Sequence, residues 1–240
     1  MAGEKMNVMK ILEAQNLSKR YREFELKDID LSIEEKEVVG FIGKNGSGKS
    51  TAMKILAGIL NEDGGRILFE GVDIVASNRN TFKENIGYIG EYPDFFGKES
   101  LKNITNFYKD FYKRWNDRSY KDVIRRFNLN EKSLMSELSK GMKVKYALCL
   151  VLAHSPKLLI LDEITSGLDI AVRAEVLEML REYVDGTSSG ILFSSHISED
   201  MDKLADRLIF LNNGKIVYRC SADEPEREKL SFNELINRSV

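Results

Sequence analysis

Residues 38–51 read VVGFIGKNGSGKST, an apolar run that passes directly into a glycine-rich one. The run VVGFI is typical of a buried strand. After the glycines comes AMKILAGIL, in which Met53, Leu56 and Ile59 fall at helical spacing. The sequence therefore predicts a strand, a tight loop and a helix in immediate succession.

The loop matches the pattern G-x-x-x-x-G-K-[ST], beginning at Gly43. Its glycines let successive backbone N–H groups converge on phosphate oxygens, and the following helix presents its positive N-terminal end. We expect Lys49 to reach the β- and γ-phosphates of ATP and Ser50 to offer its hydroxyl to Mg²⁺. The predicted ATP-binding residues here are Gly43, Lys44, Asn45, Gly46, Ser47, Gly48, Lys49, Ser50 and Thr51. The alternative is a flexible glycine turn with a solvated lysine.

A second apolar strand, LLIL, ends in Asp162 and Glu163. Helical and strand patterns alternate after about Lys140, which predicts a parallel sheet whose strand ends hold ligands. Asp162 is then placed to hold magnesium through water, and Glu163 to orient or deprotonate the water that attacks the γ-phosphate. Four apolar residues followed by two acids are common, but their pairing with the glycine loop makes the assignment specific.

Composition limits the class of partner. The chain has 240 residues, a formal net charge of -2 and a pI of about 5.9. Because the net charge is slightly negative, the chain has no electrostatic field that would attract a polyanion, and nucleic acid is not an expected partner. No apolar stretch approaches the roughly 20 residues that cross a bilayer, and the N-terminus lacks a signal-peptide core. We expect a cytoplasmic chain.

The predicted fold is α/β, with a mostly parallel central sheet of the P-loop NTPase type. The runs KILEAQNL and LKDIDLSI predict an N-terminal antiparallel β subdomain. An aromatic and basic stretch predicts an inserted helical subdomain at about residues 92–150. We expect one domain over residues 8–220 and a C-terminal tail over 221–240.

The stretch LSKGM at 138–142 precedes the acidic pair by some twenty residues. With the loop and the acidic strand, it makes the chain resemble an ATP-binding cassette (ABC) ATPase over about residues 8–220. In that family the signature LSGGQ opens a helix and caps the γ-phosphate of ATP held by the opposite subunit. The resemblance therefore assigns Ser139 and Gly141 to ATP, while Lys140 and Met142 depart from the pattern. Ser139 also suits a helix N-cap, and the two roles are compatible.

The resemblance implies further site residues. His196 matches the family's switch histidine, whereas His154 more simply ends a helix. Tyr21 matches an aromatic that stacks on adenine, although a lone tyrosine is more often a core residue. Glu91 stands where the family has a glutamine that senses magnesium and the membrane partner, and we expect it to contribute to the metal site. Ser166 to Asp169 match a loop that crosses the dimer interface.

The family works as a dimer, which implies a second ABC ATPase subunit, either identical or related. With no spanning helix in the chain, we expect a separately encoded transmembrane permease, and the ATPase would lie peripherally at the cytoplasmic face of the membrane. Aromatic residues concentrate in residues 92–115, and we expect several to line a groove for the permease: Tyr92, Phe95, Phe96, Phe107, Tyr108, Phe111, Tyr112 and Trp115. The variant motifs resemble ATPases of bacterial peptide-antibiotic exporters.

Three alternatives come from other classes. A chromosome or repair ATPase would carry heptad arms or zinc-binding cysteines between the motifs, and a ribosome-acting member would hold two cassettes; the sequence shows neither. A soluble ABC-type ATPase that acts in cytosolic assembly or regulation, without a membrane partner, stays open.

Overall fold

The computed structural model describes residues 9–75, 79–91 and 97–221. Its strands are β1 (Lys10–Arg20), β2 (Glu25–Glu34), β3 (Val38–Ile42), β4 (Gly64–Phe69), β5 (Val72–Asp73), β6 (Ile86–Ile89), β7 (Leu158–Asp162), β8 (Gly190–Ser194), β9 (Arg207–Asn212) and β10 (Lys215–Ser221). Its helices are α1 (Lys49–Leu56), α2 (Arg79–Glu84), α3 (Leu101–Lys109), α4 (Asp117–Arg126), α5 (Lys140–Ala153), α6 (Ile170–Gly186) and α7 (Ser198–Leu204).

The central sheet has six strands in the order β10-β9-β3-β8-β7-β6. Every neighbouring pair is parallel except β9 and β10, which form a hairpin. Ser194 of β8 lies opposite both Phe41 of β3 and Asp162 of β7. The carboxyl ends of β3, β7 and β8 therefore meet at one edge of the sheet, as the predicted parallel arrangement requires.

The N-terminal sheet is antiparallel, with strand order β2-β1-β4-β5. Alternation along the central strands separates two apolar cores. In β3, Val38 and Ile42 pack with the helices of the insertion and the C-terminal half, while Val39 and Phe41 pack with α1 and the N-terminal sheet. The predicted fold class is confirmed: a mostly parallel sheet, an antiparallel β subdomain and inserted helices.

The inserted helices are fixed to α5 by a buried polar network. Thr105 of α3 bonds to the phenol groups of Tyr120 in α4 and Tyr146 in α5, both at 2.9 Å. The hydroxyl of Tyr146 also donates to the carbonyl of Leu101 at 2.7 Å. Buried hydroxyl groups that satisfy one another fix the relative placement of the helices that carry them.

Two of the sequence predictions fall partly outside the described residues. Tyr92, Phe95 and Phe96 lie there, and so does the predicted tail beyond Ser221. The limits given for the domain and for the helical subdomain stay predictions. One local expectation fails: α1 ends at Leu56, so Ile59 lies past the helix and is 52% exposed. The cause is Gly58, whose φ of +69° ends the helical path.

Candidate active site

The glycine loop joins β3 to α1. Gly48 is the N-cap of α1, with φ at +104°, and no side chain caps the first turn of the helix. Gly46 also has a positive φ, at +80°. Glycine reaches these angles without steric cost, so the loop can turn its backbone N–H groups toward one point. A helix N-terminus free of side-chain caps favours an anion.

Lys49 is the first residue of α1 and is only 7% exposed. Its ammonium donates to the carbonyl of Gly43 at 2.7 Å and to that of Lys44 at 3.4 Å. It lies 4.0 Å from Oε1 of Glu163. The loop therefore holds a buried cation beside the acidic end of β7, as predicted from the two motifs.

Asp162 and Glu163 at the end of β7 share one partner, the hydroxyl of Ser194. This hydroxyl donates to Oδ1 of Asp162 at 2.8 Å and accepts from the backbone N–H of Glu163 at 2.9 Å. Glu163 has φ at +54°, a left-handed conformation that is uncommon for a residue with a side chain. Ser194 thus fixes both acids at the point where the strand turns away.

His196 lies against Glu163. Its Nδ1 is 2.7 Å from Oε2 of Glu163, and its backbone N–H donates to the same oxygen at 3.3 Å. His154 lies elsewhere: it caps the C-terminus of α5, is buried, and stacks on Tyr112 with ring centroids 3.9 Å apart. The structure thus separates the two histidines in the way the sequence suggested.

A cavity of about 430 Å³ opens at this edge of the sheet. It is lined by Phe24, Asn45, Gly46, Gly48, Lys49, Ser50, Thr51, Glu91, Glu163, Ser166 and His196. A neighbouring groove of about 640 Å³ is lined by residues that include Ile59, Tyr108, Tyr112 and Asp162. Ser50 and Glu91 line both spaces. Glu91 therefore sits at the junction of the phosphate loop and the inserted helices.

Three residues that were predicted to bind ATP from outside the phosphate loop do not line this cavity. Tyr21 is 44% exposed, which rules out a core role, and its ring centroid lies 6.4 Å from that of Phe24, which does line the cavity. Ser139 is the N-cap of α5 and accepts from the N–H of Met142 at 3.3 Å. A Cβ on Gly141 would lie 3.0 Å from a methyl group of Val172, so a larger residue here would require the Val172 side chain to shift by a few tenths of an ångström.

Within the loop, Gly43, Lys44 and Ser47 do not line the cavity either. The carbonyl groups of Gly43 and Lys44 receive the Lys49 ammonium. Ser47 is buried, and its N–H donates to the carbonyl of Lys44 at 3.1 Å. These residues shape the loop through their backbones.

Sequence reasoning missed Ser194 and Phe24, and it assigned Ser166 to the dimer-interface loop without predicting that it lines this cavity. The strand ILFSSH carried a signal for Ser194, since parallel pairing of two strands that end in polar residues brings those residues side by side. Phe24 follows Tyr21 by three residues in the turn before β2, and nothing in its local pattern distinguishes it from a core aromatic.

The donor set suits a hard cation held in part by ligands from outside the protein. Asp162 is 3% exposed, and Ser50 lines the same groove as this residue. Oxygen donors of this kind fit Mg²⁺, which keeps several waters and takes phosphate oxygens as ligands. In the described part of the chain no group of three His, Cys, Asp or Glu side chains forms a metal cage, so waters and phosphate oxygens would complete the ligand set.

Comparisons with known proteins agree with this geometry. The family model described as ABC transporter matches residues 26–166. The ABC transporter ATP-binding protein YtrB of Bacillus subtilis (strain 168) is 31% identical over 219 residues, covering 90% of this chain and 74% of that protein. The lantibiotic transport ATP-binding protein SrtF of Streptococcus pyogenes is 33% identical over 233 residues, covering 94% and 97%.

Among solved structures, the ATP-binding subunit of an ABC transporter superimposes with a TM-score of 0.85 at 27% identity. The match covers 95% of this chain and 99% of that one. Of the helices that the structure describes, none is long and apolar enough to span a bilayer.

Proposed function

Because the chain belongs to the ABC transporter family of ATP-binding proteins, we propose that it hydrolyses ATP at the Lys49–Glu163–His196 site and drives a separately encoded membrane subunit. The observation that carries the site is the convergence of these three side chains: the Lys49 ammonium is 4.0 Å from Glu163, and Glu163 is 2.7 Å from His196. A loop lysine and a residue that orients or deprotonates the attacking water are recurring parts of phosphoryl-transfer sites, and here the imidazole of His196 contacts the candidate base.

Each residue has a separable role. The loop amides and Lys49 bind the triphosphate, because charge-assisted hydrogen bonds contribute about 1.5–3 kcal/mol each. Glu163 accepts a proton from the attacking water, and His196 holds the carboxylate in place through the contact at Nδ1. Ser50, Asp162 and Glu91 would hold Mg²⁺. That ion supplies charge neutralisation on the phosphate oxygens.

The complete site takes two copies of the cassette. Ser139 and Gly141 lie at the start of α5, outside the phosphate cavity, and would cap the nucleotide of the second subunit. Two exposed apolar side chains near them support an interface: Met142 in the first turn of α5 is 37% exposed and Ile170 at the start of α6 is 78% exposed. The dimer would bury both.

The groove beside the phosphate cavity suits the membrane subunit. Tyr108 lines it from α3 and Tyr112 from the segment between α3 and α4, while the exposed Ile59 lines it from just past the end of α1. Phe107 and Phe111 are also exposed, at 48% and 62%. Since Ser50 and Glu91 face both spaces, a segment bound in the groove would alter the metal end of the nucleotide site. In this proposal the chain lies at the cytoplasmic face of the membrane.

We extend the proposal to export. Its support is the likeness to the lantibiotic transport protein SrtF, which spans nearly the whole of both chains. Transport measured in inside-out vesicles tests the direction: ATP-dependent uptake from the outer medium into the lumen agrees with export, and ATP-dependent release contradicts it.

Capture from detergent-solubilised membranes of the native host separates a transporter subunit from a soluble assembly ATPase. We expect the chain to retain a polytopic membrane protein, and Ile59→Asp to abolish this retention. Val72→Asp is the matched control, because Val72 is 55% exposed but lies in β5 of the N-terminal sheet. Equal retention of the membrane protein by both variants would contradict docking in the groove. If the wild-type chain captures no membrane protein, the result favours the soluble alternative.

A further inference from the structure

The turn between β9 and β10 contacts the phosphate loop through its backbone. The N–H of Gly214 donates to the carbonyl of Ser47 at 3.0 Å. The carbonyl of Gly214 accepts from the N–H of Lys27 in β2 at 2.9 Å. One residue of a distant hairpin thus bridges the loop and the N-terminal sheet.

This contact leaves no room for a side chain. A Cβ on Gly214 would lie 1.9 Å from the carbonyl oxygen of Glu25, and its φ is +75°. The loop touches the hairpin a second time at its first residue, where a Cβ on Gly43 would lie 2.3 Å from the carbonyl oxygen of Leu211 in β9. Both close approaches are to backbone, which cannot move aside as a flexible side chain does.

The loop in turn holds the buried cation of the site. Gly43, which rests on β9, offers its carbonyl to the Lys49 ammonium at 2.7 Å. Ser47, which rests on Gly214, is buried with its N–H bonded back to the carbonyl of Lys44. The position of the loop, and of its lysine, is therefore tied to the hairpin.

We propose that the β9–β10 turn is a positioning element of the nucleotide site, and that Gly214 holds the phosphate loop in its phosphate-binding conformation through the Ser47 carbonyl. Gly214 touches no nucleotide in this account. The inference rests on the proposed ATP-binding role of the loop. It adds to that site Gly214, which lies more than 160 positions after the loop in the chain.

The chain contains a matched control for this position. Glu70 and Gly71 form the two-residue turn between β4 and β5, with φ values of +50° and +78°. Asn213 and Gly214 have +45° and +75°. A Cβ on Gly71 would meet nothing within 4 Å. Alanine at either position must therefore adopt a similarly unfavourable φ. Only at Gly214 would the new Cβ also collide with backbone, at the carbonyl group of Glu25.

Titration of each purified variant with ADP and Mg²⁺ by calorimetry makes the comparison. We expect Gly214→Ala to weaken binding about tenfold or more, while Gly71→Ala stays within about twofold of wild type. Equal affinities for the two variants overturn the inference. A wild-type chain that binds no nucleotide would instead count against the proposed function.

If Gly214→Ala does not fold, hydrogen exchange on the wild-type chain tests the inference instead. Coupling between two sites is reciprocal, so ADP bound to the loop must stabilise the hairpin that positions it. We expect slower exchange in a peptide over residues 212–216 and no matching change over residues 68–74. No protection of the first peptide at saturating ADP would refute the coupling.

Discussion

Nδ1 of His196 lies 2.7 Å from Oε2 of Glu163, although 33 positions separate the two residues in the chain. The contact joins the residue after β7 to the second residue after β8, two strands that are neighbours in the parallel sheet. The histidine contacts Oε2 of the carboxylate, and the Lys49 ammonium lies 4.0 Å from its other oxygen, Oε1. This pairing gives the candidate base a fixed direction, and the predictions below depend on it.

Replacing Glu163 by glutamine keeps the shape of the side chain and removes the proton acceptor. We expect ATP affinity to be retained, turnover to fall at least about 100-fold, and a nucleotide-bound dimer to accumulate, because general base catalysis typically contributes 10²–10⁴-fold. Phosphate release and size-exclusion chromatography with ATP measure these effects. Turnover near the wild-type rate would refute the assignment of Glu163.

Replacing Ser194 by alanine removes the hydroxyl that holds Asp162 and the N–H of Glu163. We expect kcat to fall about tenfold or more with a smaller change in KM, since small displacements of a catalytic group are costly. Ser189→Ala is the control. Ser189 is also buried, directly before β8, and its hydroxyl donates to the carbonyl of Pro156 at 2.8 Å, away from the cavity. Equal loss of kcat in both variants would mean that Ser194 acts on stability alone.

Lys49→Ala should weaken ATP binding far more than Tyr21→Ala. The lysine is buried and makes charge-assisted bonds, whereas stacking contributes about 1–3 kcal/mol per base and Tyr21 is 44% exposed. We expect a loss of at least about 100-fold for the first and about tenfold for the second, measured by titration with a fluorescent ATP analogue. Thermal unfolding without nucleotide is the control for folding. Equal losses would show that the adenine contact is as strong as the phosphate contact.

The stability of the fold should depend on pH through His154. Burial lowers the pKa of this histidine from its ordinary value of 6.5 to about 4. Below pH 6.5 the unfolded chain binds a proton that the folded chain takes up only near pH 4, so stability falls as the pH falls through this window. The difference corresponds to about 3 kcal/mol, at about 1.4 kcal/mol per pH unit.

The variant His154→Phe keeps an aromatic ring against Tyr112 and removes the titrating group. Urea unfolding at pH 7 and pH 4.5 measures the effect. We expect the variant to lose less stability than wild type between the two pH values. The same loss in both chains would show that His154 is not the group responsible.

Local patterns were enough to predict the loop, the acidic strand and the order of strands and helices, because each depends on neighbours in sequence. The alternation predicted after about Lys140 is present: α5 begins at Lys140 and is followed by β7, α6, β8, α7 and β9. Ser194 was missed because its role follows from its pairing with Asp162 across two strands, and such register is set by the whole sheet.

The Asn213-Gly214 pair is typical of a hairpin turn, but no local pattern predicts the contact of Gly214 with Ser47, since it depends on how β9 and β10 pack on the loop. The partners of Ser139 and Gly141 lie beyond this chain in our proposal. One copy of the fold therefore holds half of the complete site that we propose.

The most direct test of the account is a crystal structure of the Glu163→Gln variant grown with ATP and Mg²⁺. We predict the triphosphate on the backbone N–H groups of residues 45–50, with Lys49 against the β- and γ-phosphates and the metal at Ser50 and Asp162. A saturating nucleotide bound anywhere else, with this loop empty, would contradict the central claim.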